Sequence, residues 1–239
     1  MYPQVPIDLI KQNHNFNFPT YWQGKNYITK KNQISNQLQP EIMLPGNQLV
    51  PVPGGTVFLS KEILGPDLYG WDNEYGSETK ELCAFEVSQM LVSNAEYLEF
   101  VQAGGYTTTG RKWWSDEGWR YVTDLKVTAP RFWIRDNTYY RAMLEEIPMP
   151  WNLPVEVNNL EAEAFCNWKS ERLGRKVRML THEELIHMRL IASENSSNSN
   201  LNKYASPTPV NLYGGLIDGR KIYDISGKLK LSRLFCFSS

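Results

Sequence analysis

From Leu49 onward the chain acquires a period. Leu49-Val50-Pro51-Val52 leads into Pro53-Gly54-Gly55 and then Thr56-Val57-Phe58-Leu59, a turn followed by a β-type run. Cys83-Ala84-Phe85-Glu86-Val87 alternates apolar and polar positions and predicts a second strand. The period then changes. Ser93 with Glu96 reads as a capping box, and Tyr97, Leu98, Phe100 and Val101 fall at helical spacing. Gly104-Gly105 ends that helix, because glycine takes a left-handed cap at little steric cost. Residues 106–153 lose the period and read as loop, dense in Trp113, Trp114, Trp119, Tyr121, Trp133, Tyr139, Tyr140 and Trp151. A long irregular segment inside a compact domain is usually functional. Pro154-Val155-Glu156-Val157 predicts a short strand. Leu160, Ala164, Phe165 and Trp168 make the stripe of a second helix, closed by Leu173-Gly174-Arg175. Thr181-His182-Glu183-Glu184 caps a third helix, which runs through Leu185, Ile186, Met188 and Leu190. Residues 193–203 are loop-like, and strand or turn pieces follow near 210–215. There is no internal repeat. Short strands, a few helices and much loop predict an α+β domain with low regular secondary structure.

The rest of the composition narrows the picture. Residues 1–48 are rich in Gln, Asn, Lys and Pro, and read as a polar connector pinned elsewhere by Phe16, Phe18, Tyr21 and Trp22. A length of 239 residues suits one ordinary domain with some tail, and the 13% aromatic content argues for a packed interior. A net charge of -1 supplies no field for nucleic acid or an anionic membrane. The opening Met1-Tyr2-Pro3-Gln4 has no basic run before an apolar stretch, so no signal peptide is expected. No window approaches the roughly 18 apolar residues of a membrane span. The Asn195-Ser196-Ser197 sequon means little without a secretory signal, and a cytoplasmic location is the expectation. Cys83, Cys166 and Cys236 are far apart and form no Cys-x-x-Cys pair, so they read as free or buried thiols.

Several motifs bear on chemistry. His182-Glu183-Glu184-Leu185-Ile186-His187 looks like a zincin helix, but its histidines are at i and i+5, not i and i+4. Five residues turn a helix by roughly 140°, so the two imidazoles do not share a face. The alternative is a helix start with acids in its first turn. Only His14 remains besides, and an iron or zinc site needs two or three converging ligands. No catalytic residue and no metal ligand follows from the residues. Gly104-Gly105 and Gly214-Gly215 lack the pattern of a phosphate cradle. Gly70-Trp71-Asp72-Asn73-Glu74-Tyr75-Gly76 is the densest polar and aromatic segment. It offers acceptors to a cationic or zwitterionic ligand, or else its Asp and Asn bond their own backbone. The segment from Trp113 to Tyr121, which includes Trp114, either boxes a cation or packs a core.

Together these segments resemble the formylglycine-generating-enzyme family and its relatives, the ergothioneine and ovothiol sulfoxide synthases. The resemblance rests on 92–106, on Trp114-Ser115-Asp116-Glu117-Gly118-Trp119, and on Ala162-Glu163-Ala164-Phe165-Cys166-Asn167-Trp168 with Arg178-Met179-Leu180-Thr181-His182-Glu183-Glu184. Segment 70–76 and Pro154-Val155-Glu156-Val157-Asn158 are similar to the ovothiol branch, the 5-histidylcysteine sulfoxide synthases. The match runs from 49 to 227. It implies a formylglycine-generating-enzyme fold related to C-type lectins. The implied activity is iron- and oxygen-dependent joining of cysteine to the histidine imidazole. In such enzymes Fe(II) is held by a DinB-like four-helix domain, which the resemblance leads one to expect outside this stretch, so no iron is expected on this chain alone.

At the other end, relatives continue into Asn-Val-Trp-(Glu/Gln)-Trp and a Gly-Gly-Ser-Trp block. Here Tyr223-Asp224-Ile225-Ser226-Gly227 fits and residues 228–239 do not, so the domain is expected to be C-terminally incomplete with an unrelated tail. The resemblance assigns Asp72, Asn73, Glu74 and Trp114 to a substrate wall for histidine and cysteine. The readings that stay open are a partial synthase inactive alone, a non-catalytic binding module, and a formylglycine-generating oxidase. The last needs paired C-terminal cysteines, and Cys166 falls on a core helix instead.

Overall fold

The computed structural model describes residues 46–61, 76–142, 146–194, 196 and 207–225. The connector's His14, Phe16, Phe18, Tyr21 and Trp22, the sequon's Asn195, Cys236 and the tail 228–239 lie outside the described residues, as do Asp72, Asn73 and Glu74.

The chain is α+β with little regular structure. Strand β1 (Leu49–Val52) pairs antiparallel with β4 (Phe85–Ser88). Strand β2 (Gly55–Lys61) forms a ribbon with β3 (Gly76–Leu82), in register from Gly55 opposite Leu82 to Lys61 opposite Gly76. Strand β3 was not anticipated, for a physical reason. Its sequence Gly-Ser-Glu-Thr-Lys-Glu-Leu is exposed or half-buried throughout, so neither face carries an apolar period.

Helix α1 (Asn94–Gln102) begins where Ser93 accepts from the Glu96 N–H, but only half of the expected capping box forms. The Glu96 carboxylate turns away. It accepts from Asn47 Nδ2 at 2.9 Å and pairs with Lys169 at 2.7 Å. The helix ends as predicted. The Gly105 N–H reaches the Phe100 carbonyl and the Gly104 N–H reaches that of Val101, with Gly104 at φ +85.

The segment read as loop contains most of the missed structure. It holds a 3₁₀ turn (Thr108–Trp113), helix α2 (Asp116–Asp124) and a three-stranded sheet of β5 (Trp133–Ile134), β6 (Tyr139–Arg141) and β7 (Glu146–Pro148). Helix α2 is capped by Ser115 and carries Asp116 and Glu117 in its first turn, which favours its dipole. The expected strand at 154–157 reduces to one bridge, Ser93 to Pro154. Pro154 has no N–H to give a ladder, and its neighbour across the bridge is already entering α1.

Helix α3 (Asn159–Leu173) has a full capping box from Asn158 and Glu161 and stops at the left-handed Gly174. It buries Ala164, Phe165 and Trp168, as the stripe predicted, with Leu160 partly buried beside them. Helix α4 (His182–Ile191) has the expected cap at Thr181 but a different inner face. Glu184, His187 and Met188 point inward, while Leu190 is 67% exposed. The reason is pairing. Arg178 grips both Glu184 oxygens, at 2.6 and 2.9 Å, and satisfies the buried charge. Burial alone would lift the Glu184 carboxyl, but Arg178 and the Thr181 N–H hold it below its ordinary value. Strands β8 (Gly214–Ile217) and β9 (Arg220–Tyr223) close the described chain as a hairpin.

Two apolar clusters support these elements. The larger joins α1, α3 and the aromatic segment through Tyr97, Phe100, Trp113, Trp114, Trp133 and Phe165. The Phe100 ring lies 5.7 Å from Trp168 and 5.8 Å from Trp113, within the range where edge and tilted pairs add to burial. The smaller joins β1, β4, α4 and the β8–β9 hairpin through Val52, Val87, Met188, Ile217 and Ile222.

Candidate functional site

The β5–β6 turn and the chain leading into it enclose an open groove of about 590 Å³, lined by residues 128–131 and 133–137. Pro130 and Trp133 are buried and give it a rigid base. The Trp133 N–H donates to the Pro130 carbonyl at 2.9 Å, and the Trp133 indole N–H donates to Asn94 Oδ1 at 3.0 Å. The far wall is the turn itself. Arg135, Asp136 and Asn137 stand at φ +51, +55 and +65, three consecutive left-handed residues without a glycine. Thr138 braces them by donating its hydroxyl to the Arg135 carbonyl at 2.5 Å. The Arg135 guanidinium pairs with Glu146 at 2.6 Å and lies 4.5 Å from the Tyr139 ring centre.

Beside the groove, the Tyr140 hydroxyl donates to Glu156 Oε2 at 3.1 Å. Burial lifts the Glu156 carboxyl above its ordinary value, and Tyr140 and the Arg131 charge offset part of that rise. Burial also lifts the Tyr121 phenol, with Glu161 adding to the rise and Asn158 and Arg131 opposing it. Arg131, which lines the groove, therefore stands within electrostatic reach of both groups. Sequence reasoning passed over this set. The available signal was Glu156 between two buried valines, a carboxyl set in an apolar run.

A second polar chain is fully enclosed. The Tyr106 hydroxyl donates to Glu161 Oε1 at 2.6 Å and lies 3.1 Å from the Tyr97 hydroxyl. The Asn158 N–H donates to Glu161 Oε2 at 2.9 Å. Tyr97 is 0% and Glu161 2% exposed, so the chain fastens α3 to the core and has no opening to a ligand.

Of the wall residues expected from the sequence, Trp114 is described. It is buried, and its indole N–H donates to the Gly105 carbonyl at 2.6 Å. Its ring lies 5.5 Å from that of Tyr106. The α4 histidines diverge. His182 is exposed, whereas His187 is buried and its Nε2–H donates to the Pro53 carbonyl at 2.9 Å. Among the described residues, no group of three His, Cys, Asp or Glu is placed to hold a metal. Also among them, no helix is long and apolar enough to cross a membrane.

The model of the sulfatase-modifying factor enzyme 1-like domain matches residues 35–190, more than half of the chain. The chain belongs to that family. This sulfatase-modifying-factor-like domain is 39% identical over 121 residues to the hercynine oxygenase of Mycolicibacterium thermoresistibile, covering 48% of this chain and 26% of the relative. It therefore spans about a quarter of that protein's length. It is 28% identical over 143 residues to the formylglycine-generating enzyme of Thermomonospora curvata, covering 52% of this chain and 45% of the other. Among solved structures, PvdO from Pseudomonas aeruginosa is similar with a TM-score of 0.35 and 14% identity, covering 57% of this chain and 44% of PvdO.

Proposed function

We propose that this domain is the substrate-holding part of an ovothiol-type sulfoxide synthase, and that the chain alone does not turn over. The observation that carries the reading is the 39% identity to a hercynine oxygenase, confined to about a quarter of that protein. Segments 70–76 and 154–158 favour the ovothiol branch, with histidine and cysteine as substrates. In this reading iron is held by a DinB-like domain, as the resemblance to the sulfoxide synthases implies.

In this reading Asp72, Asn73, Glu74 and Trp114 form the substrate wall. The two carboxylates suit an ammonium group and the amide suits a carboxylate or imidazole. Their role is to orient the amino acids, not to move protons. The Trp114 N–H is committed to Gly105 and its ring is buried against Tyr106, so Trp114 would back the wall from behind.

The test is oxygen uptake and product mass after anaerobic loading with Fe(II), using histidine and cysteine, with and without a separately expressed DinB-like domain. The expected result is no uptake by the chain alone and sulfoxide formation when the second domain is added. Sulfoxide from the chain alone would overturn its proposed dependence on that domain. Preference for hercynine over histidine would move it to the ergothioneine branch. The likeness to the T. curvata enzyme favours a second reading, a formylglycine-generating-type oxidase. That reading needs a reactive cysteine pair. Cys83 is exposed between β3 and β4, Cys166 is buried on α3, and both are free thiols.

A further inference from the structure

At one point the aromatic core holds a base. The Tyr106 hydroxyl donates to Glu161 Oε1 at 2.6 Å, and Glu161 is 2% exposed. That hydroxyl has a single hydrogen, so in the 3.1 Å contact between the two phenols Tyr97 donates to Tyr106. Glu161 accepts at both oxygens and is therefore able to take a proton. Burial lifts both phenols well above their ordinary value, so neither ionises unaided. A phenol in this setting gives up an electron readily only if its proton leaves at the same time, to a base in contact with it. Among the described aromatic neighbours this condition is selective. The Trp133 indole N–H rests on the Asn94 amide oxygen, and the Tyr97 hydroxyl meets Tyr106 and the Glu161 backbone carbonyl. Amide and phenol oxygens are poor bases, so an oxidised Trp133 or Tyr97 keeps its proton and passes the charge on. Tyr140 does meet a carboxylate, Glu156, but at 3.1 Å, and proton transfer slows steeply as that distance grows. The rings also connect. Trp151 is partly exposed and its ring centre lies 6.1 Å from that of Trp133, which lies 6.2 Å from that of Tyr97. Both are edge-to-face contacts, across which an electron moves in short hops.

We propose that Tyr106 is a redox-active tyrosine, reversibly oxidised by way of Trp151, Trp133 and Tyr97, with Glu161 as its proton acceptor. An oxygen-derived one-electron oxidant takes one electron from Trp151. That electron is replaced from Trp133, then from Tyr97, and finally from Tyr106. The Tyr106 O–H bond breaks, its proton goes to Glu161 Oε1, and a neutral tyrosyl radical remains. No other bond changes. A one-electron donor such as a thiol reverses the step as Glu161 returns the proton. Enclosure keeps the radical from coupling with other rings in solution. The natural source of the oxidant rests on the sulfoxide-synthase reading, in which oxygen chemistry takes place beside this domain. The relay itself stands on the ring contacts and the Tyr106–Glu161 bond.

The experiment is flash photo-oxidation of the full 239-residue chain by a dissolved ruthenium tris-bipyridyl complex with persulfate as quencher, followed by tyrosyl absorption and EPR. Exposed tyrosyl radicals couple and decay quickly. The expected result is an additional long-lived tyrosyl fraction that forms more slowly in D2O than in H2O. Tyr106→Phe should lose this fraction, and Tyr140→Phe should keep it. Glu161→Gln leaves an acceptor for the Tyr106 hydroxyl but no base, and should lose the fraction as well. Trp151→Phe changes a partly exposed ring and should slow formation of the long-lived radical without changing its decay. A long-lived signal that survives in Tyr106→Phe or Glu161→Gln, or that Tyr140→Phe removes, overturns the proposal. So does an unchanged rate of formation in Trp151→Phe, or the absence of a long-lived tyrosyl from the parent chain. Should the core variants fail to fold, the parent chain decides. Its long-lived radical must show EPR coupling to an exchangeable hydrogen-bonded proton that D2O removes, and a radical without that coupling overturns the assignment. None of these readouts uses iron or an amino-acid substrate. Sulfoxide formation with the DinB-like domain but no long-lived tyrosyl rejects this proposal alone, and a long-lived tyrosyl without sulfoxide rejects the synthase reading alone.

Discussion

Glu161 accepts from Tyr106 through one oxygen and from the Asn158 N–H through the other, and almost none of it meets water. A carboxylate so enclosed must balance desolvation against its hydrogen bonds. Burial dominates and lifts the Glu161 carboxyl above its ordinary value, with Tyr106 and Asn158 offsetting part of the rise. The folded chain therefore holds this proton more tightly than the unfolded chain does. The stability it contributes is full below the ordinary carboxyl value near 4.5 and is lost as pH rises through the folded value. Glu161→Gln removes that titration and keeps one acceptor. The variant should melt lower at every pH, by about 1–3 kcal/mol for the acceptor it loses. Its stability should also vary less with pH than the parent's between 4.5 and the raised folded value. Thermal melts across that range measure both effects, and parallel pH profiles for the two proteins would reject the assignment.

At the scale of elements, ribbon β2–β3 is held to α4 by side chains rather than by a shared sheet. Lys80 pairs with Glu183 at 2.6 Å, and His187 donates to Pro53 at the ribbon's entry. The hydrogen bond from Lys80 is the largest cause that brings the Glu183 carboxyl down to about 2. Stability from a lowered carboxyl is present above its ordinary value near 4.5 and disappears as pH falls toward 2. Exposed pairs contribute little to global stability, so the effect is local. Hydrogen exchange of the 76–82 amides should speed up as pH falls through that window, beyond the intrinsic pH dependence of exchange. Glu183→Gln should already show the faster exchange at neutral pH. Unchanged protection in the variant would mean that His187 and the apolar contacts hold the ribbon without the ion pair.

The same elements show which parts of the fold the sequence makes legible. Helices α1, α3 and α4 announce themselves through capping residues and the glycines after α1 and α3, which are local chemistry. Strand β3 is illegible because an exposed ribbon has no buried face to set a period. Helix α2 and the β5–β6–β7 sheet were hidden by their aromatics, which suit a loop, a core or a ligand box equally well when position is unknown. Two local signals were passed over. Ser115 with Asp116 and Glu117 marks the start of α2. Asp218-Gly219, at φ +49 and +72, is the two-residue turn that pairs β8 with β9. The groove had no such signal. Thr128, Arg131 and Asp136 converge only because the chain doubles back after Trp133, and a linear reading cannot see that return.

For the whole molecule, the two apolar clusters set how it unfolds. Chain passes from the smaller to the larger between Leu91 and Val92, and returns between Met179 and Leu180. Polar bridges add to these crossings: Asn47 to both Met90 and Glu96, Glu86 to Arg175, and the Val210 N–H to the Asn152 carbonyl. Bridges of this kind are weaker than the packing inside each cluster, and units so joined open separately. Ile222 and Phe100 are both 0% exposed, one in each cluster. Removing a buried Ile side chain costs about 2–5 kcal/mol, and a buried Phe about 3–5. Ile222→Ala should therefore speed amide exchange in β8, β9 and α4 while α1 and α3 keep most of their protection. Phe100→Ala should do the reverse, and more strongly, because its ring meets Tyr97, Tyr106, Trp113, Trp114, Phe165 and Trp168. If either substitution lowers protection evenly across both clusters, the molecule unfolds as one unit and the polar bridges couple the clusters more tightly than their number suggests.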